Sequence, residues 1–179
     1  MDAAPAAAFN NLIFSPSAVT GRCLGVSEWT LERALNLALS MEEQSIELYT
    51  SAQGRVVNPG SRQFLRELAA EEERHRSNIL AAKEDPERIG EIGSLETGIQ
   101  DLKIVDMLED VSLSPEADYQ EILIYAAKRE KETHDLYMEL ARRYRDKRIG
   151  RMFARLAQEE LTHKYRLERE YDDIILKEM

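Results

Sequence analysis

Cysteine is almost missing from this 179-residue chain. Cys23 stands alone, so no disulfide can form within a chain, and no Cys-x-x-Cys pair exists to hold zinc or a rubredoxin-type iron. Glycine and proline are scarce, at eight and five, which leaves few tight turns and favours long helices over many short strands. No apolar run approaches the roughly 20 residues that a membrane-spanning helix needs. Bases are in deficit: 24 Lys and Arg face 34 Asp and Glu, a net charge of -10 that argues against nucleic acid as a partner. The opening Met1-Asp2 lacks the basic-then-hydrophobic order of a secretory signal, so the expectation is a cytoplasmic protein.

What is abundant is charge, 32% of residues, as expected of long solvated helix faces. Residues 1–27 read as an arm, a weak targeting segment or a disordered tail. Phe9, Leu12, Ile13 and Phe14 in this arm have no helix of their own to cover, so they could dock on a neighbour, and a homodimer or larger homo-oligomer is expected. Beyond it the apolar residues recur at helical spacing. Ser27 is the expected N-cap of a helix to about Gly54, carrying Leu31, Ala34, Leu35, Ala38, Met41, Ser45, Leu48, Tyr49 and Ala52 on one side. After the turn Asn58-Pro59-Gly60, a second helix is predicted from about Ser61 to Lys83, its apolar side formed by Phe64, Leu65, Leu68, Ala69, Ile79 and Leu80. Asp85-Pro86 ends it.

Residues 86–113 hold three of the eight glycines and form a long connection, with a short helix expected over Leu102–Leu108. Ser114-Pro115-Glu116 reads as a helix start, and the third helix is predicted to reach about Arg145. A turn near Asp146–Gly150 leads to a fourth helix ending near Lys177. Short, long and short connections imply two antiparallel hairpins, 28–85 and 114–179, joined by a crossover in an all-α four-helix bundle.

The two hairpins repeat each other at an offset of 88 residues. Eleven identities fall between Leu35 and His75: Leu35/Leu123, Ala38/Ala126, Glu42/Glu130, Leu48/Leu136, Tyr49/Tyr137, Arg55/Arg143, Leu68/Leu156, Ala69/Ala157, Glu71/Glu159, Glu72/Glu160 and His75/His163. Packed helices share Leu and Ala for ordinary reasons. The polar matches differ, because a carboxylate or imidazole buried between helices is costly without compensation. In each half a Glu precedes by 30 residues the Glu of a Glu-x-x-His. Residues three apart lie about 60° apart around a helix, so Glu72 and His75 aim at one point, as do Glu160 and His163. Four carboxylates and two imidazoles suit divalent first-row metals. Two M²⁺ ions cancel four carboxylates, whereas one would leave two negative charges buried. Glu71 and Glu159, one helical turn from the histidines, are repeated as well and remain alternatives. Glu43 pairs with Lys131 and Glu132 with Gln44, so the repeat rejects those two glutamates. A metal-free surface repeat is the competing reading, and it leaves the shared register of the polar residues unexplained.

This constellation resembles the rubrerythrin-like, ferritin-like diiron-carboxylate family over about Leu31 to Leu176. The likeness rests on Met41-Glu42 with Leu48-Tyr49, Glu71-Glu72-Glu73-Arg74-His75, Arg129-Glu130 with Leu136-Tyr137, and Glu159-Glu160-Leu161-Thr162-His163. The resemblance implies a ferritin-like bundle with two iron ions, for which manganese or zinc could substitute. It implies Glu42 and His75 as terminal ligands of one iron, Glu130 and His163 of the other, and Glu72 and Glu160 as bridges. It also implies chemistry on hydrogen peroxide or dioxygen, with electrons from an external donor such as a rubredoxin. Two features depart from the family: the chain lacks the rubredoxin domain with its four cysteines, and Thr133 stands where rubrerythrins carry an extra carboxylate. Tyr49 and Tyr137 could hydrogen-bond a ligand, relay electrons or simply fill the core; His134 is either an outer group of the site or a flank histidine. The leading reading is a peroxide or dioxygen reductase. A ferroxidase, a diiron oxygenase acting on an organic substrate and a non-catalytic metal scavenger are the alternatives. Because no second thiol exists to resolve a sulfenic acid within the chain, Cys23→Ser should leave peroxide turnover unchanged; a large loss would move the chemistry from metal to sulfur.

Overall fold

The computed structural model describes residues 30–86, 101, 103, 106, 113, 114 and 116–176. The arm with Phe9, Leu12, Ile13 and Phe14, together with Cys23 and most of the segment expected as a helix over Leu102–Leu108, lies outside the described residues. Among the described residues the fold has four α-helices: α1 (Leu31–Gln53), α2 (Pro59–Glu84), α3 (Tyr119–Arg143) and α4 (Arg148–Tyr171), the last running into a π-helical turn at Asp172–Leu176. No strand occurs among the described residues, and the packing is that of a ferritin-like four-helix bundle. None of the helices is long and apolar enough to cross a membrane.

The helix ends differ from the sequence reading where capping chemistry is local. Thr30, not Ser27, caps α1, its hydroxyl accepting from the Arg33 amide. Asn58 caps α2 through the Gly60 and Ser61 amides, so Pro59 and Gly60 are its first helical residues rather than a turn. Ser114 caps only a preliminary turn, accepting from the Glu116 amide. The true start of α3 is a reciprocal box, in which Asp118 accepts from the Glu121 amide and Glu121 accepts from the Asp118 amide. Gly150, expected in the turn, lies inside α4. Leu80, expected on the apolar side of α2, is exposed.

Contacts between helices fix their directions. Lys83 reaches Asn36 and Arg76 reaches Glu43, so α1 and α2 are antiparallel. Gln120 meets Tyr171, which makes α3 and α4 antiparallel. Arg129 meets Gln44 and Ser61 meets Glu170, so α1 opposes α3 and α2 opposes α4. With α2 and α3 therefore running the same way, residues 85–118 must traverse the bundle, about 35–40 Å for helices of this length. The crossover is tied to α4 by an ion cluster around buried Lys164, which contacts Asp101 and lies 3.1 Å from Glu168 and 3.3 Å from Asp106.

The core falls into two apolar clusters. One gathers Tyr49, Val56, Leu65, Leu68, Leu123 and Ala126; the other gathers Leu35, Ile79, Tyr137, Ile149, Phe153 and Leu156. Between them lies a buried polar layer. The α3–α4 turn closes tightly on the second cluster: a Cβ on Gly150 would stand 2.1 Å from the Tyr144 carbonyl oxygen and 2.5 Å from its carbon. Backbone atoms cannot yield as a side chain can, so Gly150→Ala should destabilise the protein by about 2 kcal/mol or more, read as a lower midpoint in thermal or denaturant unfolding.

Candidate metal centre

Each helix contributes to the polar layer from its middle, where the apolar stripe is interrupted once per helix or once per turn. Glu42 from α1, Glu72 and His75 from α2, Glu130 from α3, and Glu160 and His163 from α4 are all at most 2% exposed. The six candidate ligands are thus brought together. The imidazoles stack with centroids 5.3 Å apart, and both turn Nδ1 toward the carboxylates. Glu72 presents Oε2 at 3.1 Å to His75 Nδ1 and Oε1 at 2.8 Å to His163 Nδ1. Glu160 mirrors it, with Oε1 3.0 Å from His75 Nδ1 and Oε2 3.6 Å from His163 Nδ1. Each carboxylate therefore offers one oxygen to each histidine, the disposition a bridging ligand needs. Glu42 and Glu130 stand on the outer sides, with Glu42 Oε2 3.7 Å from His75 Nδ1 and Glu130 Oε2 3.9 Å from His163 Nδ1.

Glu72 Oε1, Glu130 Oε2, Glu160 Oε1 and His163 Nδ1 are buried and make no hydrogen bond of good geometry, although ion-pair contacts bring His163 Nδ1 within 2.8 Å of Glu72 Oε1 and His75 Nδ1 within 3.0 Å of Glu160 Oε1. Donor atoms of Glu72, His75, Glu160 and His163 all lie within 4.8 Å of one another, close enough to share cations. The donor set of carboxylate oxygens and imidazole nitrogens fits ferrous iron, manganese or zinc.

Glu71 and Glu159, left open by the sequence, are placed differently. His75 Nε2 lies 2.6 Å from Glu159, and His163 Nε2 lies 2.8 Å from Glu71. Each holds the far nitrogen of the other hairpin's histidine and so leaves Nδ1 facing the centre. Glu159 is braced by Arg155 at 2.7 Å and Glu71 by Arg166 at 2.7 Å. The tyrosines cross over in the same way: Tyr49 donates to Glu130 and Tyr137 to Glu42. These pairings were beyond the sequence, although the repeat marks every glutamate, histidine and tyrosine involved. Thr133 spends its hydroxyl on the Arg129 carbonyl of its own helix. His134 stands on the flank, 3.0 Å from Asp135, apart from the centre. Glu43 and Glu132 are exposed.

The electrostatics follow from burial. Desolvation and the facing Glu160 raise Glu42 well above the ordinary carboxylate range of 4.5, and desolvation with Glu72 and Glu160 does the same to Glu130. Burial also opposes ionisation of Glu72 and Glu160, but the two histidines outweigh it and both are lowered. Burial disfavours charged imidazole, yet facing carboxylates, Glu160 for His75 and Glu72 for His163, raise both well above 6.5. Burial and the neighbouring carboxylates raise both phenols, so Tyr49 and Tyr137 stay protonated as donors. These directions favour protons on Glu42, Glu130 and both imidazoles of the metal-free layer, the groups from which bound divalent ions would displace them.

The sign for stability is definite. Groups raised in the folded state, His75, His163, Glu42 and Glu130, stabilise the metal-free fold fully below their unfolded values and lose that contribution as pH rises through the folded ones. Lowered Glu72 and Glu160 contribute above 4.5 and lose it as pH falls. Metal-free protein should therefore melt highest at mildly acidic pH and progressively lower above pH 6.5, while the increment from bound metal grows with pH. Loading with divalent metal at mildly acidic pH, followed calorimetrically in buffers of different ionisation heat, should release protons; a release near zero would contradict these directions. Glu71→Ala and Glu159→Ala should each weaken metal binding about 10–100-fold, with glutamine, which can still accept from Nε2–H, recovering part of it.

The family model for rubrerythrin matches residues 33–107, which span α1, α2 and part of the crossover. No curated protein matches, and no solved structure does. The matched segment carries Glu42, Glu72 and His75; the counterparts Glu130, Glu160 and His163 lie beyond it, related by the 88-residue repeat.

Proposed function

We propose that this chain, a rubrerythrin-like diiron protein of the ferritin-like class, reduces hydrogen peroxide or dioxygen at a pair of iron ions and is re-reduced by an external electron donor. The observation that supports this most is the convergence of both Nδ1 atoms on two shared carboxylates in a buried layer. A ferrous pair in such a site supplies two electrons, one from each ion, to a single oxidant.

The protein's own part is binding, orientation and exclusion of water. Glu42 with His75, and Glu130 with His163, would each hold one ion from outside, and Glu72 with Glu160 would tie the pair together. The cross-hairpin glutamates fix both rings, so gain and loss of charge at the centre need little rearrangement. Tyr49 and Tyr137 hold the outer carboxylates by hydrogen bonds and keep their own protons. The two apolar clusters seal the layer above and below. The reading includes a cytoplasmic setting, which a single cysteine fits.

Anaerobic loading with ferrous iron, followed by repeated additions of peroxide or oxygen with a reductant present, tests the proposal. Many turnovers with iron retained are expected, and the ratio of the two rates identifies the oxidant. Release of iron after one oxidation would replace this reading with a ferroxidase that hands iron on.

A further inference from the structure

The two halves of the bundle differ most at their turns. Residues 142–151 of the α3–α4 turn contain six Arg or Lys (Arg142, Arg143, Arg145, Lys147, Arg148 and Arg151) against the single acid Asp146, in a chain of net charge -10. All seven are exposed. The equivalent stretch of the first half, 54–63, has Arg55 and Arg62 only. The α3–α4 turn is thus basic in a chain that is acidic overall, even with Arg142 paired to Glu139 and Arg145 to Asp146.

From that tip a line of rings leads inward. Tyr144, half-buried within the basic turn, has its ring 6.4 Å from Phe153, and Phe153 lies 5.8 Å from Tyr137. Tyr137 donates its hydroxyl to Glu42, an outer candidate ligand of the metal centre. These spacings are those of directly packed aromatic pairs. The repeat does not preserve the line: Tyr137 answers to Tyr49, but Phe153 answers to Leu65 and Tyr144 to Val56, so the other turn reaches the centre through saturated side chains. Basic surface and aromatic line coincide at one end of one half.

We propose that the α3–α4 turn is the docking site of a small acidic one-electron carrier protein, and that Tyr144, Phe153 and Tyr137 form the path by which its electron reaches the metal held by Glu42. This rests on the oxidoreductase reading above. Each transfer oxidises the donor by one electron and reduces the metal centre by one, so two transfers restore the pair; no bond or proton moves along the path. The charge pattern selects the partner. A chain of net charge -10 repels an anionic protein on average, and the basic turn supplies a local attraction that favours encounter where the rings begin. Nucleic acid or a membrane surface would bring its extended negative charge against the net-acidic remainder of the chain as well. The turn also keeps its apolar Ile149 buried, leaving nothing to insert into lipid.

The experiment uses the full chain and two variants, R142Q/R145Q/K147Q/R151Q and Phe153→Leu, the latter taking the residue found at Leu65. Binding is measured with an acidic rubredoxin carrying zinc, which cannot donate electrons, and transfer with the same protein carrying ferrous iron, mixed anaerobically with oxidised iron-loaded chain. Neutral hydroquinone reports whether the metal pair of each variant accepts electrons at all. The parent should bind the zinc probe saturably, with affinity falling about tenfold or more on moving from low to high salt. The quadruple variant should lose that binding, whereas Arg66→Gln, at the opposite end, should keep it. Phe153→Leu should bind as the parent does and receive electrons several-fold more slowly from rubredoxin. Equal binding by parent and quadruple variant, or capture by phosphatidylglycerol vesicles but not by the zinc probe, would overturn the docking site. Parental transfer rates in Phe153→Leu would overturn the path. A parent that hydroquinone cannot reduce would overturn the oxidoreductase reading and the path with it, while the zinc probe still decides the docking site separately.

Discussion

Four carboxylates and two imidazoles share one buried layer, and the rest of the structure is arranged around that constraint. The layer carries donor atoms that make no hydrogen bond of good geometry, enclosed by apolar clusters that keep water from solvating them. An interior of this kind holds together only if its charge is cancelled locally. Protons on Glu42, Glu130, His75 and His163 can do so, and so can a pair of divalent cations. The same residues therefore link metal occupancy, pH and stability.

The layer also explains why neither hairpin is complete by itself. Glu159 orients His75 and Glu71 orients His163, while Tyr49 holds Glu130 and Tyr137 holds Glu42. Each of these four contacts crosses between hairpins and obeys the two-fold repeat. The departures from that symmetry lie away from the centre. Lys164, which contacts the crossover, and its partner Glu168 answer to Arg76 and Leu80; the basic turn answers to one with only Arg55 and Arg62, and Tyr144 and Phe153 answer to Val56 and Leu65. Symmetry builds the buried polar layer, and the asymmetries lie at the turns and the crossover.

Much of this was legible in the sequence because burial of charge is visible there. Glu42, Glu72 and His75 interrupt apolar stripes in register with Glu130, Glu160 and His163, and nothing about ordinary helix packing requires that. The number of helices followed from periodicity. The caps were less legible: Ser27 and Ser114 look as good as Thr30 and Asp118 until the chain direction is known, since hydroxyls and carboxylates near a helix start compete on equal local terms. Glu71 and Glu159 were visible as repeated residues, but which nitrogen they serve depends on how α2 faces α4. The ring line was hidden for the same reason, as Tyr144, Phe153 and Tyr137 sit on two helices and meet only through their packing.

Anomalous diffraction from crystals of the full chain loaded with ferrous iron tests the central claim most directly. Two iron peaks are expected inside the bundle, one against His75 Nδ1 and Glu42 and one against His163 Nδ1 and Glu130, both in contact with Glu72 and Glu160. A single peak, or iron bound only at surface carboxylates with the buried layer empty, would contradict it.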